Sequence, residues 1–199
     1  MGYDFWTNRW GSLNVYDFDG TLYDGDCMVD FYKYCLKKRP YIVVCFPWQF
    51  TGWWLHRRGK LDIRSMKQRY YKFFKYVDVE KMSQKFWDCH MDRIFPWYLQ
   101  QQKDDDLVIS ASPEFHIREA CSRLGIKYFI ASQVDTSTGR CLGPNCRDEE
   151  KVRRFREIYG DAEVEEFYSD EDHDRPMAEI ADKAYKVKDG VVTEWILRS

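Results

Sequence analysis

Leu13-Asn14-Val15-Tyr16-Asp17-Phe18-Asp19-Gly20-Thr21 sets a short apolar run directly ahead of two carboxylates two residues apart, followed by Gly-Thr. The run predicts a buried strand over Leu13–Asp17. In extended chain, residues i and i+2 share a face, so Asp17 and Asp19 aim at one spot beyond the strand. A glycine there lets the backbone turn and approach a ligand closely. One carboxylate is placed to attack and the other to move protons, with loop N–H groups nearby for an anion. Metal-assisted phosphoryl transfer uses all three.

The 199 residues fit one domain, or a core domain carrying an insertion. An apolar content of 44% supports a core, and 32% charged residues argue for a soluble protein. Seven cysteines, at 27, 35, 45, 89, 121, 141 and 146, form no C-x-x-C pair. That spacing offers neither a zinc nor a disulfide framework and predicts buried thiols in a reducing, cytoplasmic setting. Cys141 and Cys146 are the pair that a turn would bring closest. Residues 1–12 lack the apolar core and cleavage site of a signal peptide. Trp6 stands where a myristoylation signal has Ser or Thr. These residues read as an extension or remnant ahead of the first strand.

The net charge of −2 hides an asymmetry. Residues 31–75 hold twelve Lys/Arg against a single acid, Asp62, a local charge of +11, and the remainder carries −13. A basic block in an acidic chain predicts an anionic partner for the block.

Helical spacing of apolar residues runs from Asp26 to Lys38 and is stopped by Pro40. Tyr41–Leu55 is mostly apolar and holds Trp48, Trp53 and Trp54. Further amphipathic helices are predicted from Asp62 to about Tyr76 and from Val79 to Ile94, with Pro96 as terminator. Residues 26–103 thus read as an all-helical insertion, with 13–25 and 104–199 as the core domain. After Asp104 the pattern changes to strands alternating with helices. Leu107–Ser110, Ile126–Ala131 and Val164–Ser169 read as strands, and Asp148–Tyr159 as a helix. Ser112-Pro113-Glu114 reads as a helix start with Ser112 as N-cap. A hairpin is expected around Thr138-Gly139-Arg140, a short helix over Asp174–Ala181, and final strands around Asp189-Gly190. The alternation implies an α/β, Rossmann-like core with a mostly parallel sheet, and ligands at its strand C-termini.

Polar groups stand at four such ends: Asp17/Asp19, Ser110, Lys151, and the acidic run from Asp170 to Asp174. In this order and type they resemble the motifs of the haloacid dehalogenase superfamily, in particular its phosphoserine phosphatase-like branch, over about residues 13–190. The first motif, D-x-D-x-T, is matched by Asp17, Asp19 and Thr21. A hydroxyl after an apolar strand is matched by Ser110, and a helix-start lysine by Lys151, with Arg147 and Arg153 as competitors. The final D-x-x-x-D is matched by Asp170 and Asp174, and Glu171 stands where the family commonly has Ser or Gly. The resemblance implies a Mg2+ held by Asp17, the Asp19 carbonyl and Asp170, with Glu171 beside its shell. It makes Asp17 the nucleophile and Asp19 the general acid/base. Lys151, Ser110, Ala111 and the Phe18, Gly20 and Thr21 segment would hold phosphate oxygens, with Asp174 orienting Lys151. A dehalogenase would have no use for Asp19, whereas a phosphomutase would keep the whole set.

The insertion resembles the family's cap, which covers the site and supplies specificity. Phosphoserine phosphatases recognise the substrate amine with an acidic cap residue, at whose position Asp26 stands in place of Glu. Their carboxylate-binding cation would correspond to Lys67 or Arg69. That reading predicts a small phosphoserine-like substrate. A second stays open: the thirteen aromatics among residues 31–75, flanked by cations, suit an anionic membrane surface and a lipid phosphate such as phosphatidylglycerophosphate. Against it stands the reading in which they form the cap's own core. A non-catalytic polyanion- or lipid-binding module is the alternative outside enzymes. No nucleic-acid-binding module is recognised, and none is expected.

Overall fold

Side chains on successive residues of the central strands point to two different cores, one on each face of the sheet. The computed structural model describes residues 11–197. Its strands are β1 (Ser12–Tyr16), β2 (Leu107–Pro113), β3 (Tyr128–Ser132), β4 (Glu163–Ser169), β5 (Ala181–Lys188) and β6 (Val191–Glu194). They form one sheet in the order β3-β2-β1-β4-β5-β6, parallel except for β6. Leu13, Val15, Leu107, Ile109 and Phe167 face one core. Tyr16, Val108, Tyr168 and Val187 face the other. This two-sided burial is what a parallel sheet needs, and the chain has the α/β, Rossmann-like architecture that the strand–helix alternation predicts. Aromatics also tie strands together: Tyr16, Tyr168 and Tyr185 stand in register on adjacent strands and stack at 4.8 and 4.7 Å.

Between β1 and β2 the chain forms α1 (Cys27–Lys38), α2 (Phe46–Arg57), α3 (Ile63–Tyr70), α4 (Val79–Trp87) and α5 (Pro96–Gln101), joined by 3-10 turns. Asp26, Asp62 and Asp78 cap α1, α3 and α4 by accepting the N–H of Val29, Ser65 and Lys81. Phe31, Phe86, Trp87 and Phe115 meet edge to face beneath them, with Phe73 tilted against Phe31. The core continues with α6 (Glu114–Leu124), α7 (Glu149–Tyr159) and α8 (Arg175–Glu179).

Several boundaries differ from the sequence reading. The helix begun at Asp62 becomes a 3-10 turn at Tyr71, and the one begun at Val79 ends at Trp87. Pro96 opens α5 instead of terminating a helix, because its missing N–H costs nothing in a first turn. Ser112 is not an N-cap: β2 continues to Pro113, which pairs with Ser132, and Pro113 occupies the cap position. Ser12 already pairs with Glu163, while residues 1–10 of the expected extension lie outside the described residues. All seven cysteines are free, Cys141 and Cys146 included. Among the described residues no helix is long and apolar enough to cross a membrane.

The turn between Val134 and Cys141 docks on the inserted helices. Arg64 donates to the Cys141 carbonyl, and the Cys141 N–H donates to Gln68. Gly139 sits at φ +74°, where an added Cβ would stand 2.2 Å from the Tyr71 carbonyl oxygen. Gly139→Ala therefore meets both a left-handed backbone and a collision. It is expected to lower stability by roughly 1–3 kcal/mol in urea unfolding; an unchanged midpoint would show that this contact is not held in solution.

Candidate active site

β1, β4 and the start of α7 carry the charged groups to one place. Asp17 extends β1 by donating its N–H to the Tyr168 carbonyl at 2.9 Å. The chain then folds back, with the Phe18 carbonyl accepting the N–H groups of Thr21, Leu22 and Tyr23. Gly20 adopts φ +72°, and a Cβ on it would lie 2.1 Å from an Asp170 carboxylate oxygen. A glycine is thus required for Asp170 to lie against the loop.

Lys151, in the first turn of α7, is buried with its ammonium between Asp17 Oδ1 at 2.6 Å and Asp174 Oδ2 at 2.7 Å. Ser169 also donates to Asp174 Oδ2, at 2.7 Å. Asp148, just before α7, holds φ +52° without being a glycine, a strained entry that fixes where the helix begins and so where Lys151 points. One ammonium here faces two carboxylates. Burial pushes the Asp17 carboxyl up to about 8, with the charges of Asp174 and Asp170 adding to it and Lys151 opposing. Lys151 is raised in turn: burial favours its neutral form, but Asp17 and Asp174 outweigh burial. Asp170 is pushed up to about 6 by burial and by the charge of Glu171.

Asp19 is oriented through both oxygens. Oδ1 accepts the Cys27 N–H at 2.7 Å, and Oδ2 accepts the Ser112 hydroxyl at 2.5 Å. Ser112 was not among the sequence candidates. The signal was available, since alternation along a strand running to Pro113 puts Ser110 and Ser112 on one side. Ser110 itself is buried, with its Oγ accepting the Ser112 N–H at 3.1 Å.

These groups form the polar floor of a cavity of about 810 Å³. Asp17, Asp19, Lys151, Asp170, Glu171 and Asp174 line it, as do Gly20, Ala111 and Ser112. Asp26 and Lys67 stand above them. Burial and the charge of Asp19 push Asp26 up to about 6. Lys67 is lowered by burial against the pull of Asp19 and Asp26, and donates to Ala111 O and Asn145 Oδ1, both at 2.8 Å.

Of the remaining candidates, Ser110, Arg69, Phe18 and Thr21 are not on the cavity wall. Arg69 packs its stem against Gly52 of α2, a consequence of how α3 is rotated. The Phe18 ring is in the aromatic core beside Tyr23 and Trp87. Thr21 is fully buried and supports Asp170, its Oγ1 accepting the Asp170 N–H at 3.0 Å. The Gly20 N–H is engaged inside the loop by the carbonyls of Tyr23 and Gly25, so it does not face a ligand. Arg153 pairs with Glu150 and Glu157 on the outer face of α7, whereas Arg147 reaches the cavity mouth, 3.9 Å from Glu171.

Hard oxygen donors with a surplus of negative charge fit a magnesium ion, which binds through one or two carboxylates and keeps several waters. Lys151 is shared between Asp17 and Asp174, and Asp170 has no ion-pair partner among the described residues, which leaves negative charge at the site for a cation. Among the described residues no three acidic, His or Cys side chains converge into a closed shell.

The family model for haloacid dehalogenase-like hydrolases matches residues 15–179. The chain is 30% identical over 191 residues to Protein CicA of Caulobacter vibrioides, covering 88% of this chain and 86% of that one. Among solved structures, a protein of unknown function from Bordetella pertussis Tohama I superposes with a TM-score of 0.71 at 16% identity, covering 88% and 89% of the two chains. A phosphoserine phosphohydrolase-like protein from Francisella tularensis gives a TM-score of 0.55 at 18% identity, covering 87% and 85%.

Proposed function

This chain belongs to the haloacid dehalogenase-like hydrolases, and we propose that it is a Mg2+-dependent phosphatase that hydrolyses a phosphate monoester through an aspartyl-phosphate on Asp17. The observation that carries this reading is the Asp17–Lys151–Asp174 chain of contacts at the floor of the cavity, with Asp19 held beside it by Ser112 and Cys27.

Asp17 attacks phosphorus in line with the leaving oxygen, forming a carboxyl–phosphate bond as the ester P–O bond breaks. Asp19 gives a proton to the departing alkoxide, then takes one from the water that cleaves the intermediate. The Lys151 ammonium turns from Asp17 towards the equatorial phosphoryl oxygens as charge builds there, while Asp174 keeps it protonated and in place. Asp17, Asp170 and the Asp19 carbonyl would hold the Mg2+, which when bound supplies the positive charge that lets a carboxylate approach a phosphate dianion. Hydrolysis of 4-nitrophenyl phosphate tests the reading. Turnover should require Mg2+ and stop with EDTA; none above an Asp17→Asn control would sink it.

The charge surplus also makes a pH prediction. Asp17 and Asp170 lie above the ordinary 3.8 in the fold, at about 8 and about 6. A carboxyl raised by folding contributes most stability below its unfolded pKa, and loses that contribution as pH rises through its folded value. Metal-free protein should therefore lose stability as pH rises from about 4, the Asp170 share levelling off near about 6 and the Asp17 share near about 8. Mg2+ should restore it, with a gain that grows over the same window because binding displaces those protons. Thermal unfolding with and without Mg2+ at about pH 5.5 and about pH 8.5 makes the comparison; an equal shift at both would show that the ion does not engage these carboxylates.

A further inference from the structure

Helix α2 turns its aromatic residues outward. Of its twelve residues only Gln49 and Gly52 are buried, against α3 and the Tyr70 carbonyl. Phe46, Trp48, Phe50, Trp53 and Trp54 are each 39–55% exposed. Tyr41, Val43 and Val44, just before the helix, are equally open, so eight of the fifteen exposed large hydrophobic residues among those described fall within fourteen positions. Such residues scattered singly need no explanation; a contiguous patch does. The reading in which these aromatics form the cap's own core holds for Phe31, Phe73 and Phe74 and fails for this stretch.

Cations surround the patch. Arg57 lies over Trp53, Arg58 over Trp54 and Lys72 over Trp48, at 5.5, 3.9 and 3.6 Å from the ring centres. Of the twelve Lys/Arg in residues 31–75, only Lys33 has a carboxylate within ion-pair reach among the described residues. Most of the local positive charge is therefore left without a carboxylate partner.

The patch and the cavity share a wall. Phe46, Phe50 and Trp53 belong to the exposed stretch and also line the cavity, together with Met28, Val29 and Met66. A small polar substrate would find its candidate partners occupied, because Lys67 is engaged by Ala111 and Asn145, and Asp26 by the Val29 N–H. An apolar body attached to a phosphate would find a continuous wall from the open surface down to Asp17.

We infer that the face running from Tyr41 to Arg58 docks on an anionic phospholipid bilayer, and that the cavity takes its phosphate monoester from a lipid headgroup in that bilayer. The substrate half rests on the phosphatase reading above; the docking half does not. At twelve residues α2 is about 18 Å long, too short to span, and it suits a position in the interfacial plane with tryptophans at headgroup depth and cations against lipid phosphates. A nucleic acid would satisfy the cations but leave Val43, Val44 and Phe46 in water.

Co-sedimentation of the full chain at low salt with mixed phosphatidylglycerol–phosphatidylcholine vesicles tests the docking. Pure phosphatidylcholine vesicles should bind roughly tenfold less. Arg57→Glu/Arg58→Glu and, separately, Trp48→Ser/Trp54→Ser should each weaken vesicle binding about tenfold or more, yet hydrolyse 4-nitrophenyl phosphate within roughly twofold of the unmodified chain. Phosphatidic acid in the vesicles should release phosphate at least about tenfold faster than glycerol 3-phosphate in solution, and both double variants should lose that advantage. Asp17→Asn should bind vesicles normally. If it and the unmodified chain bind but neither hydrolyses any ester, the phosphatase reading falls and the docking surface stands. Four results overturn the inference: no vesicle binding at low salt, capture of single-stranded RNA in place of vesicles, a dimer that masks the tryptophans, or glycerol 3-phosphate hydrolysed as fast as the vesicle lipid.

Discussion

Lys151→Met is expected to lower kcat by roughly 10²–10³-fold and to destabilise the fold by about 3–5 kcal/mol. The two losses have separate origins. The catalytic one follows from removing the cation nearest the position of the transferring phosphoryl group. The structural one arises because Asp17 and Asp174, both nearly inaccessible to solvent, then face each other without the ammonium now 2.6 and 2.7 Å away. Methionine preserves most of the volume, so packing changes little. Lys151→Met/Asp174→Asn separates the two: it should regain much of the stability by removing one uncompensated carboxylate, while turnover stays low. Denaturant unfolding and 4-nitrophenyl phosphate kinetics on both variants make the comparison. The single variant should also recover stability as pH falls, since Asp17, raised even with the lysine present, is tolerated best when protonated. Unchanged stability in Lys151→Met would mean that the buried triad is not formed in solution.

The residues on the cavity floor were legible because each sits where a local pattern changes. Asp17 follows the apolar run of β1, Asp170 follows the buried Phe167-Tyr168-Ser169 end of β4, and Lys151 lies in the first turn of a helix that begins after a loop. Such junctions are visible in a linear chain, and parallel strands bring their C-terminal ends together whatever their order. The choice between Lys67 and Arg69 was not local. It depends on the rotation of α3, which turns Lys67 to the cavity and lays Arg69 over Gly52, seventeen residues away. Ser112 was misread because Ser-Pro-Glu suits a helix entry and a strand end equally, and only the pairing of Pro113 with Ser132 decides between them. The aromatic block shows the same limit. Composition makes Trp48 and Phe73 equivalent, and only the assembled fold puts one in the open and the other in the core.

Asp19→Asn should separate substrates by their leaving groups. Asp19 is held by the Cys27 N–H and the Ser112 hydroxyl with its carboxylate on the cavity, so asparagine can keep much of that geometry while losing the proton transfer. An alkoxide is a poor leaving group and needs the acid, so hydrolysis of an alkyl phosphate should fall by roughly 10²–10⁴-fold. A nitrophenolate leaves without protonation, so phosphoryl transfer to Asp17 from 4-nitrophenyl phosphate should be far less impaired. Water attack on the intermediate still lacks its base. Rapid mixing should then show a burst of nitrophenolate close to one equivalent per enzyme, followed by slow turnover, with phosphate label trapped on the protein after acid quenching. Ser112→Ala, which frees Asp19 Oδ2, should lower the alkyl rate more than the aryl rate through the same step. Equal loss with both substrates and no burst would remove Asp19 from proton transfer and leave it a role in holding the loop between β1 and α1.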